Sequence, residues 1–210
     1  MTTEGVVYVV DDDDQVCRAV QALVGAMGIV CRGFGSAEEF LLAYDGTRPA
    51  CLVTDLRMHG MTGLELQERL LANRCEMSVV MLTAFATIPV TVRAMRNGAL
   101  TMLEKPCDDG ELWEAVRAGL AADRENYARQ RARDEVLQRV ESLTPKEREV
   151  MEYVVAGDAN KVIATRLGVS VRTVENHRSR VFEKMAAQNL AHLVQMVGRG
   201  DLADDDRLFT

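Results

Sequence analysis

A chain of 210 residues has room for one large or two modest domains. Its hydrophobic share, 48%, is ordinary for a globular protein. No apolar stretch approaches the ~20 residues of a membrane span, and the net charge of -7 argues against nucleic acid for the chain as a whole while leaving room for a local basic patch.

The first five residues carry no basic group before the apolar run at 6–10, so no secretory signal is read there. That run predicts a first strand. Residues 15–27 carry Val16, Val20, Leu23 and Val24 at helical spacing, with Gly28 at the expected helix end. A weaker strand is expected near 29–33. Ser36 with Glu39 three residues on predicts a capping box for a helix over 37–44. Further strands are expected at 51–54, 79–82 and 101–103, and further helices at 64–72, 88–97 and 108–120. Continuous apolar strands alternating with helices imply an α/β fold, a parallel five-stranded sheet covered on both faces, of the flavodoxin-like doubly wound type. Cys17, Cys31, Cys51, Cys75 and Cys107 are odd in number and lack metal-ligand spacing, so they read as reduced thiols of a cytosolic protein with packing roles.

From about 121 to 142 the chain is charged, helix-favouring and free of Gly and Pro. It reads as a helical linker, either continuing the preceding helix or starting a new one, with a solvated stretch at 129–133. Its few apolar positions, Tyr127, Val136, Leu137 and Val140, suit a partner contact. Beyond 143 strand signals cease, and helices are expected at 145–156, 160–167, 171–185 and 190–197. Thr144, Pro145 and Glu147 form a second capping-box pattern, and Ser170 suits an N-cap. The expected organisation is therefore a domain over 1–120, a linker over 121–142, an all-α four-helix domain over 143–200, and an acidic, frayed tail over 201–210.

Ligands of doubly wound sheets bind beyond the carboxyl ends of the strands. Those ends carry Asp11 and Asp12 after the first strand, Asp55 after the third, Thr83 after the fourth and Lys105 after the fifth. Asp13 and Asp14 read as solvated or helix-start charges. Clustered carboxylates repel, and a hard divalent cation such as Mg²⁺ resolves the repulsion. A carboxylate can also serve as a nucleophile toward phosphorus, with Thr83, Lys105 and backbone N–H groups holding the equatorial oxygens.

The segments VVDDDD, DLRMHGMTGLEL, LTA and EKP, in this order, resemble receiver domains of two-component response regulators. The resemblance implies Mg²⁺ bound by Asp11, Asp12, Asp55 and the backbone carbonyl of Arg57. It implies phosphorylation of Asp55 by a sensor histidine kinase, with Thr83 and Lys105 contacting the phosphate. Three positions depart from the pattern: His59 stands where Pro is common, Cys107 where Phe often follows Lys-Pro, and Met102 where a switch aromatic is usual. A flexible Met can still fill an inward or outward pocket. Phe85 is an aromatic close to Thr83 that suits either that job or packing.

Between 161 and 184 six basic residues face two acidic ones, a local positive excess in an acidic chain. The helix–turn–helix around Gly168 resembles the LuxR/NarL type through LTPKEREV, NKVIATRL and TVENHRSRVFEKM. That resemblance implies that the 171–185 helix enters the DNA major groove. Asn176 and Arg180 suit base reading. Lys161, Arg172, Thr173 and His177 suit phosphate or positioning contacts, although His177 equally suits a structural role against the preceding helix. Leu190, Leu193, Val194 and Val197 form a stripe that the family often uses between subunits.

The whole chain thus resembles the FixJ/NarL family. The expected protein is not an enzyme but a cytoplasmic transcription regulator, an activator before a repressor. Phosphorylation would drive homodimerisation and binding to two DNA half-sites, with RNA polymerase as a further partner and no membrane. Two readings stand beside this one: a DNA-binding protein whose receiver no longer switches, and a Mg²⁺-dependent phosphohydrolase using Asp55.

Overall fold

The structure, a computed structural model, describes residues 5–85 and 87–198. The tail expected at 201–210 and residues 199–200 of the expected helical domain lie outside them. The chain divides into two compact units between Ala128 and Arg129.

In the first unit five parallel strands pair in the order β2-β1-β3-β4-β5. They are β1 (Val6–Val10), β2 (Val30–Phe34), β3 (Ala50–Asp55), β4 (Ser78–Thr83) and β5 (Ala99–Glu104). The helices are α1 (Asp14–Ala26), α2 (Ala37–Ala43), α3 (Gly63–Ala72), α4 (Ile88–Arg96) and α5 (Asp109–Glu141). The alternation of each strand splits its apolar run between two cores. Val6, Tyr8 and Val10 pack with Phe40, Leu66 and Ala94, whereas Val7 and Val9 pack with Val20, Val24, Leu112 and Val116. Both faces are covered, which is why β1, β3 and β4 read as unbroken apolar runs. β2 is an edge strand, largely exposed, and its sequence signal is correspondingly weak.

The caps follow the expectations with one correction. Asp13 caps α1 by accepting from the Gln15 N–H, and Thr144 and Glu147 form a complete capping box. At α2 only half of the expected box forms. Ser36 accepts from the Glu39 N–H, but the Glu39 carboxylate accepts from Gly35 N–H instead of Ser36.

At the amino edge of the sheet the structure contains a buried clamp. Asp123 on α5 is fully buried and accepts from Arg48 Nε at 2.7 Å and Nη2 at 2.6 Å. It also accepts from the N–H groups of Ala50 and Ser78, the first residues of β3 and β4. Arg48 lies over the Tyr127 ring. Asp123 falls in the charged stretch expected to be linker, yet it closes the sheet.

α5 is one helix of 33 residues, so the stretch after 120 continues the preceding helix. Its apolar positions are taken up by the chain's own cores instead of awaiting a partner: Tyr127 meets Arg48, while Leu137 and Val140 are buried in the second unit.

That unit adds α6 (Pro145–Val155), α7 (Asn160–Leu167), α8 (Val171–Lys184) and α9 (Leu190–Val197). Val150, Met151, Ile163, Val174, Val181 and Leu193 form its centre. Gly168 ends α7 at φ 65°, a left-handed conformation that favours Gly, and Ser170 caps α8. Val162 of α7, an apolar residue of the helix–turn–helix sequence, is exposed and takes no part in this core. Glu147 is buried and accepts from Lys184 Nζ at 2.6 Å. The Lys184 bond, together with the Thr144 N–H, holds its carboxyl at about 2.

Two outcomes follow from these buried charges. Asp123→Ala strands Arg48 and two backbone N–H groups, and should cost the first unit about 3–5 kcal/mol. Trp113, the chain's single tryptophan, sits on α5 in that unit, so its fluorescence in a urea titration measures the loss. Glu147 has a depressed pKa, so the stability it adds is complete above its ordinary value of 4.5 and fades as pH falls toward about 2. Glu147→Gln should flatten that acid limb, read by circular dichroism of the helical unit between pH 5 and pH 2.

Candidate functional site

The reversal of strand order between β1 and β3 opens a crevice at their carboxyl ends. Asp11 follows β1 and is 1% exposed, and Asp55 ends β3 and is 8% exposed. Asp11 Oδ1 accepts from Asp13 N–H, and its Oδ2 accepts from Lys105 Nζ at 2.6 Å. The same ammonium stands 3.4 Å from Asp55 Oδ1. Lys105 is brought there by its N–H, which bonds to the Thr83 carbonyl and so extends the β4–β5 pairing by one residue. Asp11, Asp12 and Asp55 each offer an oxygen within 4.8 Å of the others. Arg57 follows two residues after Asp55, and its backbone N–H works against the rise in the Asp55 pKa.

Burial raises the pKa of Asp55; Lys105 opposes this and Asp11 adds to it. Burial works against the charge on Lys105, but the bond to Asp11 and the nearby Asp55 prevail and raise its pKa. Asp12 is held below the usual carboxylate range by the His59 N–H and ring. Cys17 sits beneath this edge, donating its thiol to the Asp11 carbonyl. All five thiols are free, and burial pushes that of Cys31 up to about 12.

Thr83 is buried at the end of β4, but its hydroxyl is turned to its own loop. It donates to the Phe85 carbonyl at 2.9 Å and accepts from the Phe85 N–H at 3.0 Å. The Phe85 side chain is 71% exposed, which removes the packing role allowed for it. Met102 is half-buried against the α2–α3–α4 core, and its sulfur accepts from Thr91 Oγ1 on α4. Gly63, at the start of α3, was not singled out by the sequence. A Cβ there would stand 2.2 Å from the Asp55 carbonyl, so the absence of a side chain lets α3 start against the Asp55 backbone. The only signal for it was a Gly in the loop after Asp55.

In the helical unit the structure sorts the basic residues. Arg166 pairs with Asp158 and lies over Tyr153; Arg178 donates to Asn160 Oδ1 and lies over Phe182; Lys184 holds Glu147. Lys161, Arg172 and Arg180 stay exposed, as does Asn176. Thr173 is half-buried beside Ser170, its hydroxyl 2.8 Å from that of the cap. His177 is half-buried with Nδ1 buried and unbonded, so no hydrogen bond ties it to the preceding helix.

Response regulator receiver domains match residues 7–117, more than half of the chain, and the luxR family of bacterial regulatory proteins matches residues 141–197. The chain is a response regulator with a LuxR-type DNA-binding domain. FixJ of Azorhizobium caulinodans, a transcriptional regulatory protein, is 42% identical over 200 residues, 95% of each chain. FixJ of Bradyrhizobium diazoefficiens is 35% identical over 205 residues, 98% of this chain and all of that one. A low-resolution structure of the response regulator StyR superposes with a TM-score of 0.79 at 37% identity, covering 92% of this chain and 98% of that one. Full-length FixJ from B. japonicum gives a TM-score of 0.57 at 34% identity, covering 96% and 99%.

As a response regulator the chain has a sensor kinase and DNA as the partners implied by its two domains. Receivers typically bind Mg²⁺ at this acidic pocket, and the donors here fit it. Three carboxylates converge while one ammonium answers them, which leaves a net negative site of hard oxygen donors. Among the described residues no helix is long and apolar enough to cross a membrane.

Proposed function

We propose that this response regulator is switched by phosphorylation of Asp55 and regulates transcription as a DNA-bound homodimer, as an activator. The observation that supports this most is the convergence of Asp11, Asp12, Asp55 and Lys105 from three strand ends on one sheet edge. The receiver function belongs to residues 1–120, with the Asp123 clamp attached, and the DNA-binding function to residues 143–200, joined through 121–142.

In the proposed chemistry a carboxylate oxygen of Asp55 attacks the phosphorus of a kinase phosphohistidine. The O–P bond forms as the P–N bond breaks, and the imidazole leaves. Asp11, Asp12, Asp55 and the Arg57 carbonyl would hold Mg²⁺, which when bound neutralises charge on the entering phosphoryl group. Lys105, already 3.4 Å from Asp55, is placed to take an equatorial oxygen. Asp55 is mostly buried beside Lys105, and that burial raises its pKa.

The added charge, about two units, competes for the Thr83 hydroxyl. Releasing the two Phe85 bonds frees the β4–α4 loop. Beyond that loop Ile88, Val92 and Met95 form an exposed apolar stripe at helical spacing on α4, which suits a receiver–receiver contact. On α9, Leu190 and Val194 stay partly exposed while Leu193 and Val197 are buried, so one edge of that stripe is left for a second subunit. The two DNA-binding units would then address two half-sites, with RNA polymerase as the downstream partner. Exposed Asn176 and Arg180 suit base edges, and Lys161, Arg172, Thr173 and His177 suit the backbone.

One observation supports a second reading, a DNA binder indifferent to phosphate. Met102 is already tied to Thr91 on α4, and no aromatic ring fills the switch position. Mass spectrometry and light scattering with Mg²⁺ and a small phosphodonor decide between them. Wild type should gain one phosphoryl group and shift toward dimer, and Asp55→Asn should do neither. Phosphoryl gain without dimer gain would favour the second reading. For the DNA contacts, Asn176→Ala and Arg180→Ala should each lose about 1–3 kcal/mol on the operator and relax base preference. Lys161→Ala and Arg172→Ala should weaken all sequences alike, read by fluorescence anisotropy on operator and scrambled duplexes.

A further inference from the structure

His59 lies in the loop between β3 and α3, and its side chain is wholly exposed. An exposed imidazole is expected to move freely, yet this residue makes two bonds to a single atom across the edge. Its backbone N–H donates to Asp12 Oδ2 at 3.0 Å. Its ring Nδ1 stands 2.5 Å from the same oxygen. An ionised carboxylate only accepts, so Nδ1 carries the proton and donates. A proline here, the residue common in the family, has no N–H and no ring donor and could make neither bond.

We infer that His59 is a positioning residue for the cation site: it holds the Asp12 carboxylate in the orientation that enters the Asp11–Asp12–Asp55 cluster. This rests on reading that cluster as the Mg²⁺ site. Asp11 and Asp55 are set by burial and by Lys105. Asp12 is the exposed member, with 27% of its side chain in solvent and no lysine on it. It is the carboxylate with most freedom to lose when a cation binds. Fixing one of its oxygens beforehand removes part of that loss and aligns the other donors.

The test is a Mg²⁺ titration of the unphosphorylated full chain, followed by amide shifts of the edge residues in ¹H–¹⁵N spectra. His59→Ala keeps the backbone N–H but loses the ring bond, and should bind Mg²⁺ about 3- to 10-fold more weakly. His59→Asn places an amide N–H where Nδ1 was, and should restore affinity to within about twofold. Melting temperatures of both variants should match wild type, because the imidazole covers no core. His59→Ala matching wild type in affinity would overturn the inference, and so would His59→Asn falling as far as His59→Ala. Asp12→Asn separates the two claims. If it binds Mg²⁺ as well as wild type, the cation-site reading fails and this inference with it. If Asp12→Asn loses binding and His59→Ala does not, only the role of His59 fails.

Discussion

A parallel sheet covered on both faces leaves charge only two places to go, and both are strand ends. The interiors of β1, β3 and β4 hold no ionised group, and the buried Thr54 hydroxyl of β3 is answered by the Asp55 carbonyl. Ionised groups therefore collect at the amino edge or the carboxyl edge, and each cluster must satisfy itself. At the amino edge Asp123 and Arg48 do so completely, with every contact made by the chain. At the carboxyl edge Lys105 answers only part of the charge on Asp11, Asp12 and Asp55. One end is closed chemistry and the other is open chemistry. That difference, not the number of acids, separates the cluster that the chain satisfies itself from the one it leaves partly unanswered.

The open end is set by backbone as much as by side chains. Lys105 arrives because its N–H pairs with the Thr83 carbonyl. α3 starts where it does because Gly63 leaves room for the Asp55 carbonyl. Thr83 is present but engaged elsewhere, in two bonds to Phe85. The site thus has the Asp55 carboxylate and the Lys105 ammonium side by side while the Thr83 hydroxyl is bonded elsewhere. The switch proposed above would require this hydroxyl to leave Phe85, a second arrangement that a rigid phosphatase pocket would not need.

The sheet, its order and its acidic edge were legible in the sequence because their signals are local: apolar runs of strand length, and a single polar residue where each run stops. The caps at Ser36, Thr144 and Ser170 were legible for the same reason, whereas Asp13 read only as a solvated or helix-start charge and proved to be the cap of α1. What was not legible depends on distant partners. Asp123 looks like any acid of a charged helix until Arg48 is placed beside it, 75 residues away. His59 looked like a departure from a pattern, and only the fold brings it to Asp12, 47 residues distant. Glu39 follows the capping-box spacing, yet its carboxylate accepts from the Gly35 N–H, a partner the spacing does not name. Phe85 was open between packing and signalling, and its exposure could not be read from its neighbours.

The helical unit consumes part of its own positive charge. Arg166, Arg178 and Lys184 are bonded to Asp158, Asn160 and Glu147, and two of them also cover aromatic rings. On the DNA contacts proposed above, Lys161 and Arg172 are the cations of this stretch left for the phosphate backbone, with exposed Arg180 given to a base edge. Each cation that neutralises a phosphate releases condensed counterions, and affinity falls with the logarithm of salt at about −0.9 per contact. On that proposal this stretch would contribute a slope of about −2 per subunit instead of the about −5 that six cations would give. Under the same proposal less of the affinity would come from counterion release and more from the fit of the base-reading side chains, so discrimination between sequences would be retained as ionic strength rises.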